Sequence, residues 1–261
     1  MTHLIHVPLH MREFNRWAGN RGLVRRGSFD AGYAFHVLLS AMFGKGVMQP
    51  FRWFASERRT AGSLYAYADV DQAELQSTAD AVAPPDCLEV LNPGRMRSKQ
   101  MPSYFERGRR LGFDLRLRPV RRLRRDLADS QLGSSLTRGS EVDAFRLELI
   151  QKFPSAWREA DADTAGKAGV TRESVYAEWL SERFGKAVRV EECRLVAFSR
   201  TRAVRGDRRA PEGPDAILQG TFAVSDERRF PEVLRAGVGR HRAYGYGMLL
   251  LRPPGRRVLE R

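Results

Sequence analysis

The stretch His3-Leu-Ile-His-Val-Pro-Leu-His10 sets Ile5, Val7 and Leu9 on one side of the chain and His6, Pro8 and His10 on the other. That period of two belongs to a half-buried strand, because successive side chains of extended backbone point to opposite faces. Working outward, an arginine-rich loop (Arg21, Arg25, Arg26) leads to Ser28, which can cap a helix with Asp30 in its first turn. Phe35, Leu38, Leu39, Met42 and Phe43 form the apolar stripe of that helix, and Gly44 and Gly46 end it. Residues 51–56 and 63–68 are aromatic-rich runs around a polar turn, hence a hairpin. A helix over 71–82 stops at Pro84-Pro85, and 87–91 supplies a further strand. The resulting order is strand, helix, strand, strand, helix, strand.

The second half repeats this order around one interruption. In 112–118, Phe113, Leu115 and Leu117 alternate with Asp114, Arg116 and Arg118, which reads as a strand with one basic face. From about 120 to 170 the chain is charged and irregular, beginning with Arg121, Arg122, Arg124 and Arg125 and carrying a helix near 141–152; this reads as a helical insertion. Thr171 caps an amphipathic helix whose face is Val175, Tyr176, Trp179, Leu180 and Phe184, closed by Gly185. Strands at 188–198 and 216–224 flank a loop over 199–215 that holds Arg200, Arg202, Arg205, Arg208 and Arg209. A short helix over 226–236, the glycine-rich segment 237–247 and a last apolar strand over 246–251 complete the chain. Two consecutive βαββαβ units predict an α+β protein of tandem ferredoxin-like (RRM-like) domains, 1–111 and 112–261, the second carrying the insertion. Such a fold often reads RNA on its sheet but hosts many other functions.

Charge narrows the partners. Forty-five basic residues stand against 31 acidic ones, a formal net charge of +14 over 261 residues, and only five of the basic residues are lysines. Arginine grips phosphate with a planar fork and stacks on bases, so nucleic acid heads the possibilities. A GC-rich genome also raises the ratio of arginine to lysine, but it does not explain the net charge. No helix-turn-helix or zinc signature appears, which sets duplex DNA behind RNA. No run approaches the ~18 apolar residues of a membrane span, and the N-terminus lacks the basic and apolar segments of a signal peptide, so a cytoplasmic protein without membrane contact is expected. Cys87 and Cys193 have no metal-ligand spacing, which argues against a disulfide or zinc site. His6 and His10 share a strand face, but at about 13 Å apart they do not easily share an ion. No metal, cofactor or small-molecule ligand is expected.

The segment Leu234-Arg-Ala-Gly-Val-Gly-Arg-His-Arg-Ala-Tyr-Gly-Tyr-Gly-Met-Leu-Leu-Leu-Arg-Pro253 resembles the glycine-rich loop and last strand of CRISPR-associated repeat endoribonucleases of the CasE type, in the RAMP superfamily. Further matches come in the family's order: Tyr33-Ala-Phe-His36, a helix ending in Phe43, Arg110-Leu-Gly-Phe-Asp-Leu-Arg-Leu-Arg-Pro119, Trp179-Leu180, a strand near Arg194, Pro214-Asp215 and Ser225-Asp226. The likeness fails over about 120–170. That extra material and the arginine content also fit the type IV CRISPR counterpart of these nucleases. The resemblance implies binding of the repeat hairpin in precursor CRISPR RNA, cleavage at the 3′ base of its stem with a 2′,3′-cyclic phosphate left behind, and retention of the product inside an effector complex with other subunits. The alternative is a non-catalytic subunit that binds the same hairpin.

Cleavage of that kind needs a base for the 2′-OH proton, an acid for the 5′-oxygen and positive charge over the phosphorane, and no metal. Histidine suits the proton transfers because its ordinary pKa of about 6.5 leaves both forms available near neutrality. His36 and Tyr33 match the family's catalytic pair, and their spacing puts them on one helix stripe with Phe29 and Ser40. A surface histidine beside a packing tyrosine is the plain alternative. His241, between Arg240 and Arg242, is the rival, and Arg242 could act by charge alone. Gly237, Gly239, Gly245 and Gly247 would let backbone amides approach a phosphate, although a helix cap and a tight turn use glycines too. Arg21, Arg25, Arg26, Arg116, Arg118, Arg121, Arg122, Arg205 and Arg240 are the candidate RNA contacts, with a solvated basic face as the competing explanation for such runs.

Overall fold

In the computed structural model, residues 1–25, 28–56, 60–127, 136–153, 169–205 and 208–255 are described, with the side chains of 25, 28, 203–205 and 208–211 left aside. The first sheet has the order β4-β5-β1-β6 and comprises β1 (His3–His10), β4 (Phe51–Ala55), β5 (Ala61–Ala68) and β6 (Arg97–Gln100). The second has the order β10-β11-β7-β12 and comprises β7 (Arg110–Leu117), β10 (Val188–Arg205), β11 (Arg208–Val224) and β12 (Leu249–Arg252). All pairings are antiparallel. In each sheet the unit's first strand lies between its third and fourth, which is the ferredoxin-like arrangement, built twice. Short ribbons β2 (Val24–Arg25) with β3 (Ser28–Phe29), and β8 (Val120–Arg122) with β9 (Glu141–Asp143), stand outside the sheets.

The period-two stretches behave as their patterns dictate. Ile5, Val7 and Leu9 are buried on β1, as are Phe113, Leu115 and Leu117 on β7. Against the first sheet pack α1 (Met11–Asn20), α2 (Ala31–Phe43), α3 (Gln72–Val82) and α4 (Pro85–Val90); Phe14 of α1 stacks on Phe35 of α2 with ring centroids 3.9 Å apart. The second unit adds α5 (Ala144–Lys152), α6 (Arg172–Phe184) and α7 (Arg229–Ala236). Helix α6 carries a full capping box between Thr171 and Ser174, and all five residues of its expected face are buried.

Several elements differ from expectation. Helix α1 follows β1 directly; the spacing of Met11, Phe14, Trp17 and Ala18 is helical, but Arg12, Asn15, Arg16 and Gly19 obscure it. Asp30, not Ser28, caps α2, accepting from the Tyr33 amide at 3.0 Å, while Ser28 belongs to β3. Residues 87–91 are not a strand: Pro85 starts α4, and Cys87 and Val90 face inward one turn apart. The fourth strand of the first sheet is β6, whose four residues are all exposed, so no alternation marks it. The 199–215 loop is instead the arm of a long hairpin, paired from Ser199↔Asp215 to Arg205↔Arg208 beyond the edge of β7; Pro211, Gly213 and Pro214 hide it in the sequence. The insertion opens with the β8–β9 ribbon before α5, and the last strand starts at Leu249 rather than at 246.

The two units share a polar seam. Asp114 of β7 is 2% exposed and takes the Arg52 guanidinium of β4 at 2.7 Å, the Gln219 amide at 2.7 Å, and Arg252. Tyr67 of β5 is buried in the second unit's core and donates to the Leu249 carbonyl at 2.9 Å. Among the described residues no helix is long and apolar enough to cross a membrane.

Candidate functional site

The Asp30 cap starts α2 so that Tyr33 lies in its first turn and His36 one turn later, both partly exposed; Ser40 shares their stripe as expected, whereas Phe29 lies on β3, ahead of the helix. Their rings are 6.4 Å apart between centroids. The glycine-rich segment comes back to this spot from more than 200 residues away in sequence. Its base is closed by Val238 N donating to Gly247 O and Gly247 N donating to Arg116 O, both at 2.8 Å. A 3-10 turn over Arg242–Tyr244 then lays the Tyr244 ring 5.2 Å from His36, edge to face, and 6.3 Å from Tyr33. Gly32 makes this contact possible, since a Cβ there would stand 2.3 Å from the Tyr244 carbonyl oxygen. An imidazole flanked by two phenols, one from each unit, is therefore a product of the tertiary fold. Tyr244 had no role in the sequence reading, and nothing local to it predicts one.

The other face of the turn is charged. His241 Nε2 lies 2.7 Å from one oxygen of Glu141 at the start of β9, and Arg240 Nε lies 2.6 Å from the other. The hydrogen bond from His241 is the main cause that holds the Glu141 carboxyl below its ordinary value; partial burial opposes it, and Arg240 adds to it. Arg242 donates to the Ala236 carbonyl at 2.5 Å, satisfying the end of α7. His241 and Tyr244 are 6.4 Å apart, so the two histidines flank the same phenol.

The glycines expected to cradle a phosphate are turned toward protein. A Cβ would stand 2.9 Å from Pro50 at Gly237, 2.8 Å from Trp179 at Gly239, 2.0 Å from Trp53 at Gly245 and 2.4 Å from the Val238 carbonyl at Gly247, and all four have positive φ. Packing and backbone conformation thus suffice to require glycine at each.

The candidate RNA-contact arginines divide. The expected basic face of β7 is not open to solvent. Arg116 bonds Asp215 twice, at 2.9 and 2.5 Å, and lies between the rings of Trp53 and Tyr246 at 4.7 and 4.6 Å. Arg118 is 7% exposed and donates to the Thr201 carbonyl at 2.6 Å. These two brace the loop and the hairpin arm. Arg21 pairs with Asp86 and Arg121 with Glu182, both in exposed geometries, and Arg122 reaches the Gly139 carbonyl. Exposed pairs of this kind are worth only about 0–1 kcal/mol, so a phosphate can displace them. Arg26 and the side chains of Arg25 and Arg205 lie outside the described residues.

Residues 2–253 match the family described as CRISPR associated protein. The chain belongs to that family. Solved structures similar to this CRISPR-associated chain include CRISPR endoribonuclease Cse3 bound to a 19-nucleotide RNA (TM-score 0.57, 16% identity, 96% of this chain and 100% of that one). The CRISPR-associated protein Cas6e from Escherichia coli str. K-12 is similar at TM-score 0.58 and 15% identity, over 96% of this chain and 99% of that one. A chain of a CRISPR RNA-guided surveillance complex is similar at TM-score 0.50 and 15% identity, over 95% and 98%. At these identities the likeness is one of fold. No curated protein is significantly similar in sequence.

Proposed function

We propose that this CRISPR-associated chain is an endoribonuclease that binds the stem-loop of its CRISPR repeat RNA and cuts at the 3′ base of the stem. The observation that carries the reading is the meeting of His36 and Tyr33 on α2 with Tyr244 on the glycine-rich loop. It sits in a family of CRISPR-associated proteins and on a fold shared with an endoribonuclease solved on RNA. In this cluster one group takes the 2′-OH proton, the oxygen attacks the adjacent phosphorus, and a second group protonates the departing 5′-oxygen. His36 fits the proton transfers, with Tyr33 as its neighbour on the helix. Arg240 and Arg242, on the same loop, would supply charge to the developing dianion once RNA draws them from Glu141 and the Ala236 carbonyl. The product strand then ends in a 2′,3′-cyclic phosphate, and no step calls for a metal. The chain domain of 1–111 supplies the proton chemistry, and that of 112–261 supplies the loop. Retention of the cut hairpin would carry the protein into an effector complex, as the fold shared with a surveillance-complex chain suggests.

The test is incubation of the protein with its own repeat RNA in EDTA. One defined cut bearing a cyclic phosphate is expected, lost in His36→Ala with hairpin affinity retained. Tight binding without cutting, unchanged by His36→Ala, would establish the non-catalytic hairpin-binding subunit instead.

A further inference from the structure

Among the described residues, the insertion between β7 and α6 reaches the loop at Glu141. Glu141 spans Arg240 and His241 with its two oxygens, at 2.6 and 2.7 Å. His241 is the one non-glycine residue with positive φ among those described, at φ 63 and ψ 25. Left-handed backbone brings a Cβ too close to the following carbonyl, so a histidine stays there only when its surroundings hold it. His241 also begins the turn that matters: its carbonyl accepts from the Tyr244 amide at 2.8 Å, and that turn lays Tyr244 against His36.

We infer that Glu141 is a positioning residue for RNA cleavage: by anchoring His241 and Arg240 it holds the left-handed turn that delivers Tyr244 to His36 and Tyr33, which makes the insertion part of the working site. This rests on the cleavage reading above. Glu141 acts on the reacting groups only through the loop. The arrangement differs from one in which His241 itself transfers a proton, because the role of His241 here is conformational.

Glycine separates the two. It adopts φ near +63° at no steric cost, whereas alanine does not. Single-turnover cleavage and hairpin affinity are to be measured for the full-length wild type, Glu141→Ala, His241→Gly, His241→Ala, the Glu141→Ala/His241→Gly double variant, and His36→Ala. Glu141→Ala should cut about tenfold more slowly, the effect of releasing one strained residue, with hairpin affinity within about twofold. His241→Gly should stay near the wild-type rate, His241→Ala should be slower, and the double variant should recover most of the rate lost by Glu141→Ala. Three results would each overturn the inference: wild-type cutting by Glu141→Ala, a His241→Gly variant as slow as His36→Ala, or a double variant no faster than Glu141→Ala. A wild type that binds its hairpin but never cuts overturns the cleavage reading and this inference with it; an indifferent Glu141→Ala in a cutting enzyme overturns the inference alone.

Discussion

Removing Asp114 should cost this protein more than removing Arg52, although the two form one ion pair. Asp114 is 2% exposed, pairs with the Arg52 guanidinium at 2.7 Å and accepts hydrogen bonds from Gln219 and Arg252. Asp114→Ala leaves the Arg52 guanidinium, whose side chain is 5% exposed, buried beside Arg252 and Arg116 with no carboxylate. Burial already pushes the Arg52 guanidinium below its ordinary value despite the attraction of Asp114. Stranding one member of a buried pair costs about 3–5 kcal/mol. Arg52→Met leaves Asp114 with both of its hydrogen bonds, from Gln219 and Arg252, so the loss should be smaller, about 1–3 kcal/mol. The Arg52→Met/Asp114→Leu double variant removes both charges, and it should be more stable than Asp114→Ala alone by about 1–3 kcal/mol. Urea denaturation followed by intrinsic tryptophan fluorescence gives all four stabilities, with Trp53 beside the seam as reporter. An Arg52→Met loss equal to or above that of Asp114→Ala, or a double variant no better than Asp114→Ala, would show that desolvation does not govern this seam.

Since the Glu141 carboxyl is held below its ordinary value of 4.5 by His241 and Arg240, the anchor is intact above that value; it is lost as pH falls through the depressed folded value. Native-state stability should therefore fall off on the acid side of pH 4.5 less steeply in Glu141→Gln than in the wild type, as read by thermal melts, and parallel acid limbs would remove Glu141 from the linkage. Arg116→Ala should lower stability while leaving the salt slope of hairpin binding unchanged, because Arg116 is committed to Asp215, Trp53 and Tyr246. Arg122→Ala should instead reduce that slope by about one; the opposite assignment would mean that RNA displaces the Asp215 pair. Burial pushes the Cys87 thiol up to about 11 and the Cys193 thiol up to about 12, so neither should react quickly with a disulfide reagent at pH 8 until the protein is denatured; fast labelling of the native protein would contradict this.

The local patterns carried much of this molecule. Ile5, Val7 and Leu9 on β1, Phe113, Leu115 and Leu117 on β7, and the Thr171 cap with its five-residue apolar face all follow from periods of 2 and 3.6, which a core on one side enforces. The Tyr33–His36 stripe is equally local, being one turn of helix. Where local chemistry was mixed, the pattern misled: the polar residues of α1 masked its stripe, Pro85 and Cys87 looked like the approach to a strand, and the prolines of the 199–215 arm looked like a loop. The all-exposed β6 carried no signal, because an edge strand without a buried face need not alternate.

Tertiary structure alone decided how the glycine- and arginine-rich segment packs and what it meets. Its sequence shows missing side chains and extra charge, but not that Trp53 and Trp179 fill the space beside Gly245 and Gly239, nor that Arg116 is spent between two rings. Tyr244 meets His36 across 208 residues, and Glu141 meets His241 across 100. Contacts at such separations depend on where two sheets and an insertion dock, and docking is set by the summed burial of whole faces. No repeat within a few residues of Tyr244 or Glu141 encodes it, so sequence named the helix that bears His36 while the fold chose its neighbours.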